Sequence, residues 1–139
     1  MCNIAGYVGS RPAAPILLEM MEREEGFAGG YYTGIVTVYQ NRLYCRKVVG
    51  GVRELVEKTD AASLPGVVGM IHSRSNSGGG QEWAHPFLNP AGDLAYVANG
   101  SPGCFMDNGE RISQAAAQLY EQGCRFTTVD PSVSRYPAY

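Results

Sequence analysis

Apolar residues recur along this chain with two periods, and the changes of period mark out its elements. Ile4 to Val8 is a short apolar run that ends at Gly9-Ser10, which predicts a strand entering a turn. Ser10-Arg11-Pro12 predicts a helix start. Ile16, Leu17, Met20 and Met21 then recur at helical spacing until Gly26, just past Glu24 and Glu25, so this Ile/Leu/Met face is expected to be buried. Two runs rich in β-branched and aromatic residues, Thr33 to Tyr39 and Leu43 to Val49, flank Gln40-Asn41-Arg42 and predict a hairpin. Gly50-Gly51 breaks the pairing, and Val52, Leu55 and Val56 predict a short helix before a loop from Asp60 to Pro65. Val67 to Ser73 reads as a buried strand running into the polar, glycine-rich loop Ser75 to Gly80. Leu94 to Asn99 reads as another apolar strand, ending at Asn99-Gly100. The clearest helix follows: Asp107 or Asn108 can cap it, Ile112, Ala115, Ala116, Leu119 and Tyr120 line one face, and Gly123 stops it. No repeat, low-complexity segment or linker divides the 139 residues, so a single domain over 1–139 is expected.

Composition narrows the classes of function. The chain is 45% hydrophobic and 17% charged, which is the balance of a folded protein. Its formal charge is only -2, and no basic run exceeds Arg46-Lys47, so neither nucleic acid nor an anionic membrane is an expected partner. No apolar segment approaches the roughly 18–20 residues of a membrane span, and a cytoplasmic location is expected. Cys2, Cys45, Cys104 and Cys124 are widely spaced, with no CxxC pair and no nearby histidine to complete a zinc set. Reduced thiols, no metal and no cofactor are the expectation.

The candidate chemistry begins at the second residue. Removal of Met1 would leave Cys2 with its thiol and a free α-amine on one carbon. Such an amine has an ordinary pKa of about 7.7–8.0, so near neutral pH part of it is unprotonated and can take the thiol proton. Five further segments stand in order behind it: Asn3-Ile4-Ala5-Gly6, Thr33-Gly34-Ile35, Ile71-His72-Ser73-Arg74, Ala84-His85-Pro86 and Val97-Ala98-Asn99-Gly100.

Together these segments resemble the class II glutamine amidotransferase domain, a family of N-terminal-nucleophile hydrolases, and most of all its glucosamine-6-phosphate synthase branch. The resemblance implies an α+β fold, a four-layer αββα sandwich of antiparallel sheets, of which these residues would supply the front part. It implies that Cys2 is the nucleophile toward the side-chain amide of L-glutamine and that its α-amine relays the proton to departing ammonia. Asn99 and Gly100 match the pair that forms the oxyanion hole, a task that needs donors aimed at the developing charge. Arg74 matches the residue that grips the substrate α-carboxylate, for which a planar guanidinium is suited. Asp130 falls near the acidic residue that binds the α-ammonium, across a one-residue gap, and Ser77 can offer a hydroxyl to the substrate. His85 is read as shaping the site loop, and His72 as a hydrogen-bonded core residue.

The chain departs from the family pattern at named places. The family has glycine where Asn3 stands, and its Tyr-Arg-Gly-Tyr-Asp-Ser stretch is replaced by Glu25 to Thr33. Its Trp-Ala-Thr-His-Gly loop becomes Ser75-Asn76-Ser77-Gly78-Gly79, where a serine cannot supply the bulky apolar lid. Three readings compete. One is a glutaminase that passes ammonia to an acceptor such as a sugar phosphate, bound by an isomerase or synthase domain or subunit. Another is an inactive glutaminase-like scaffold or regulatory subunit. The third is an N-terminal-cysteine amidase that acts on a different amide, against which Arg74 argues for a ligand with an α-carboxylate. Sheet edges left open by a partial domain favour a homo-oligomer or another covering partner.

Overall fold

The structure is a computed structural model, and it describes residues 1–76, 81, 84–99, 115, 118–119 and 121–122. The strands β1 (Asn3–Val8), β2 (Tyr32–Tyr39), β3 (Arg42–Val49) and β4 (Val68–Arg74) form an antiparallel sheet in the order β1-β4-β2-β3. The β2–β3 hairpin turns on Gln40 and Asn41, whose φ angles of 48° and 59° are the left-handed pair that matches the twist of a two-residue connection.

Strand alternation gives this sheet two different faces. Ala5, Ile35, Val48 and Ile71 point to one side and are covered by α1 (Ala13–Glu24) and α2 (Val52–Lys58), forming the core with Leu17, Met21 and Leu55. Gly69 lies beneath α1: a Cβ there would meet the Val36 carbonyl at 2.6 Å and Leu17 Cδ1 at 3.0 Å, so its missing side chain sets how closely helix and sheet approach. The buried face of α1 differs from the expected one. Ala13, Ala14, Leu17, Leu18 and Met21 are buried, whereas Ile16 is half-buried and Met20 is 38% exposed. The two small alanines rotate the contact stripe, because they allow a closer approach than the bulkier Ile16 and Met20 would. In α2, likewise, Val52 and Leu55 are buried and Val56 is exposed.

A second, two-stranded antiparallel sheet, β5 (Phe87–Leu88) with β6 (Ala95–Tyr96), belongs to the other face. Across the first sheet Ile4, His72, Gly34 and Lys47 stand in one row on that face. Lys47 Nζ donates to the Ala84 carbonyl at 3.1 Å, and a Cβ on Gly34 would meet the His85 carbonyl oxygen at 2.1 Å. The 84–86 segment thus lies directly on Gly34. A Gly34→Ala variant is expected to lose about 1–3 kcal/mol of stability through overpacking, read as a lower urea midpoint with an unchanged slope. An unchanged midpoint would show that the segment can lift away without cost.

One further expectation needs correction. The apolar stretch Leu94 to Asn99 is not one strand, since β6 holds only Ala95 and Tyr96. Its hairpin with β5 is closed by Asn89, whose side-chain oxygen accepts the Asp93 and Leu94 amides at 3.1 and 2.9 Å, and beyond Tyr96 the chain leaves the ladder. The β5 strand itself is too short to show a period in the sequence. In the expected last helix Ala115, Gln118, Leu119 and Glu121 are helical, and Ala115 and Leu119 are exposed. No helix among the described residues is long and apolar enough to cross a membrane.

Candidate active site

The site is built where the start of β1 meets the end of β4. The register Asn3↔Ser73, extended by one step, sets Cys2 beside Arg74 and Ser75. Cys2 is half-buried, its Sγ lies 3.9 Å from Ser75 Oγ, and Met1 before it is 91% exposed. The chain returns to this point at residue 99, where the exposed Asn99 donates its Nδ2 to the Cys2 carbonyl at 2.7 Å, closing 97 positions of sequence. An amide nitrogen has two hydrogens, so this bond leaves the second one to be directed at a ligand.

Arg74 comes from the last position of β4 and is fully buried, with its guanidinium carbon 5.1 Å from the Tyr32 ring centroid. The aromatic face steadies the cation and fixes its plane. Tyr32 is its cross-strand neighbour, so the contact follows from register. Cys2, Asn99 and Arg74 are therefore brought together. Ser77, Gly100 and Asp130 lie outside the described residues, as do Cys104 and Cys124. Cys45 is a free thiol that burial pushes up, against the smaller opposing pull of Lys47 and Arg46, which makes it a poor nucleophile near neutral pH.

Behind Arg74 sits a polar strut that sequence reading missed. Glu25, at the end of α1, accepts the Val52 amide at 3.0 and 3.1 Å and the Ser73 hydroxyl at 2.9 Å. Ser73 Oγ also accepts the Gly30 amide at 2.8 Å and lies 3.0 Å from Thr33 Oγ1, which donates to the Gly50 carbonyl at 2.8 Å. This network joins both helices to the strand that carries Arg74. Thr33 and Ser73 stand on separate strands 40 positions apart, so no local pattern in the sequence signals it. A second tie couples two departures from the family pattern: Asn3 Nδ2 donates to the Ala28 carbonyl at 2.7 Å, so the side chain that replaces glycine anchors the loop that replaces the family's own.

His72 and His85 are both buried, with ring centroids 4.1 Å apart, and the His85 ring also meets Phe87 edge-on at 4.5 Å. His72 Nε2 is 3.1 Å from the Ala98 carbonyl, which fits its expected place as a hydrogen-bonded core residue. Burial is the main cause that pushes His72 down to about 4; the Ala98 bond opposes it and the Arg74 charge adds to it. His85 is pushed down to about 3 by burial first, then by His72, Arg74 and Lys47. The unfolded chain protonates both near 6.5, so below that pH it takes up protons that the native state refuses. Stability is then expected to be complete above pH 6.5 and to fall by up to about 1.4 kcal/mol per pH unit for each imidazole as pH drops toward the two folded values. Urea midpoints compared at about pH 7 and pH 5, above the main carboxylate range, check this. Equal midpoints would mean that the imidazoles charge in place. Among the described residues no set of three or more His, Cys, Asp or Glu side chains could hold a metal ion.

No family model matches the chain. It is 35% identical over 102 residues to the glutamine–fructose-6-phosphate aminotransferase (isomerizing) of Pyrococcus horikoshii, covering 72% of this chain and 17% of that protein. The enzyme of the same name from Gloeobacter violaceus is 34% identical over 129 residues, 91% of this chain and 20% of that protein. A solved structure, the glutamine phosphoribosylpyrophosphate amidotransferase from B. subtilis complexed with ADP and GMP, matches in fold with a TM-score of 0.58 at 22% identity, covering 100% of this chain and 30% of that one. This is a class II glutamine amidotransferase domain. The aligned part of the chain spans between one sixth and one fifth of the length of those aminotransferases. The amidotransferase domain is α+β, with antiparallel sheets and helices against the larger one, as the sequence resemblance implied.

Proposed function

We propose that this domain hydrolyses the side-chain amide of L-glutamine and supplies the ammonia to a sugar phosphate held by an isomerase or synthase domain or subunit. The relatives named above act on glutamine and fructose 6-phosphate by name, which supports the choice of both donor and acceptor. The observation that carries the reading is the 2.7 Å bond from Asn99 to the Cys2 carbonyl beside the end of β4. It sets a candidate oxyanion donor against the candidate nucleophile, with Arg74 one cross-strand step away.

In the proposed cycle the Cys2 α-amine takes the thiol proton and the sulfur attacks the amide carbon. The carbonyl electrons move to oxygen, where the free hydrogen of Asn99 and the backbone N–H of Gly100 receive the charge. Collapse breaks the C–N bond, and the proton held by the amine leaves with ammonia, so a γ-glutamyl thioester remains on Cys2. Water, deprotonated by the same amine, then releases glutamate and returns the thiol its proton. Arg74, Ser77 and Asp130 hold the amino-acid end of the substrate through carboxylate, hydroxyl and ammonium contacts.

The chemistry requires a free amine on Cys2, and the exposure of Met1 means that its removal sacrifices no packing. The test is glutamine-dependent ammonia release by protein whose N-terminus is verified by intact mass to be Cys2, together with labelling by an electrophilic glutamine analogue. Release and a single adduct on Cys2 are expected. Processed, folded protein that shows neither would favour the scaffold reading, which draws its support from Ser75 standing where the family has tryptophan.

A further inference from the structure

The segment that presents Asn99 lies beyond the end of the β5–β6 ladder. β6 ends at Tyr96, and residues 97–99 lie outside any described strand, yet Asn99 must sit within ångströms of Cys2. The imidazole of His72 reaches this segment from β4, with Nε2 3.1 Å from the carbonyl of Ala98, the residue just before Asn99. His72 also shares a strand face with Arg74, two residues on, and so refers both ends of the site to a single strand.

We propose that His72 is a positioning residue whose Nε2–H straps the Asn99 corner to β4, holding the oxyanion donor over Cys2 in register with Arg74. This rests on the reading of Asn99 given above. A carbonyl only accepts, so the bond requires the proton on Nε2, and in the neutral ring Nδ1 carries a lone pair. Nδ1 is buried and has no partner among the described residues, which leaves the Ala98 bond to set the tautomer. The His85 ring, stacked at 4.1 Å and tilted by 33°, limits rotation of the His72 plane. His85 can approach so closely because Gly34 lets the 85 carbonyl pass where any side chain would collide. Among the described residues the charged groups facing the pair are Arg74 and Lys47, both cationic, and their effect on the two rings favours the neutral form, in which the Nε2–H tautomer is the one that can donate to Ala98.

The test compares His72→Gln with His72→Asn in the processed domain. A glutamine amide nitrogen can take the place of Nε2, whereas the shorter asparagine amide cannot reach Ala98. For glutamine hydrolysis, His72→Gln is expected to keep kcat within about 3-fold, and His72→Asn to lower it about 10-fold or more, with KM nearly unchanged in both. The strap is overturned if both folded variants retain kcat or both lose it equally. A readout that needs neither turnover nor a folded variant is the 15N spectrum of the wild-type ring near pH 7. It is expected to show the Nε2–H tautomer with its proton protected from exchange; the Nδ1–H tautomer overturns the proposal. Should the wild-type domain release no ammonia, the glutaminase reading fails by itself, while the tautomer still decides whether the strap exists.

Discussion

Cys2→Ala is expected to bring glutamine-dependent ammonia release to the assay floor, a loss of about 10⁴-fold or more, which is the scale on which removing a covalent nucleophile acts in hydrolases. The variant should fold normally. Cys2 lies outside the sheet ladder, and its side-chain contact, 3.9 Å to Ser75, is too long to contribute much stability. A chain that keeps Met1 makes the sharper comparison, since the thiol is then present but its nitrogen is an amide and no longer a base. Loss of the same order is expected from that form, measured by ammonia release alongside intact mass. Full activity in the Met1-bearing form would overturn the proposed role of the amine while leaving the thiol in place.

Asn99→Ala is the second large effect. Removal of one oxyanion donor costs about 10²–10³-fold in kcat in comparable sites, or roughly 2.7–4 kcal/mol of transition-state stabilisation. The loss should fall on kcat and leave KM for glutamine nearly unchanged, because the donor acts on charge that develops only during attack. Asn99 is exposed, so truncation removes the 2.7 Å bond to Cys2 and costs folding only about 0.5–1.5 kcal/mol. Steady-state kinetics decides between roles: a raised KM with intact kcat would move Asn99 from the oxyanion site to the substrate-binding surface.

Much of this site could be read from residue types and order. Thiol and amine on one carbon, a guanidinium closing an apolar strand, and Asn-Gly after another apolar run are each commonplace alone, and it is their order along the chain that suggests chemistry. The hairpin was legible because alternation on both sides of a short polar connection is a property of neighbours in sequence. The buried face of α1 was not, because the choice between Leu18 and Met20 depends on how far Ala13 and Ala14 let the helix descend onto Gly69. Nor was the Glu25–Ser73–Thr33 strut, whose members look like ordinary helix-end and strand polar residues until the sheet sets them within hydrogen-bond distance.

By itself, then, the sequence determined the chemical groups, their order and the larger strands and helices, because covalent structure and short-range periodicity settle these. The tertiary structure decided that residue 99 returns to residue 2, that His72 faces Ala98, and that Asn3 anchors the altered loop at Ala28. Those distances follow from the antiparallel register of β1 with β4 and from how the 84–86 segment seats on Gly34, and pairings across so many residues leave no local trace in the chain.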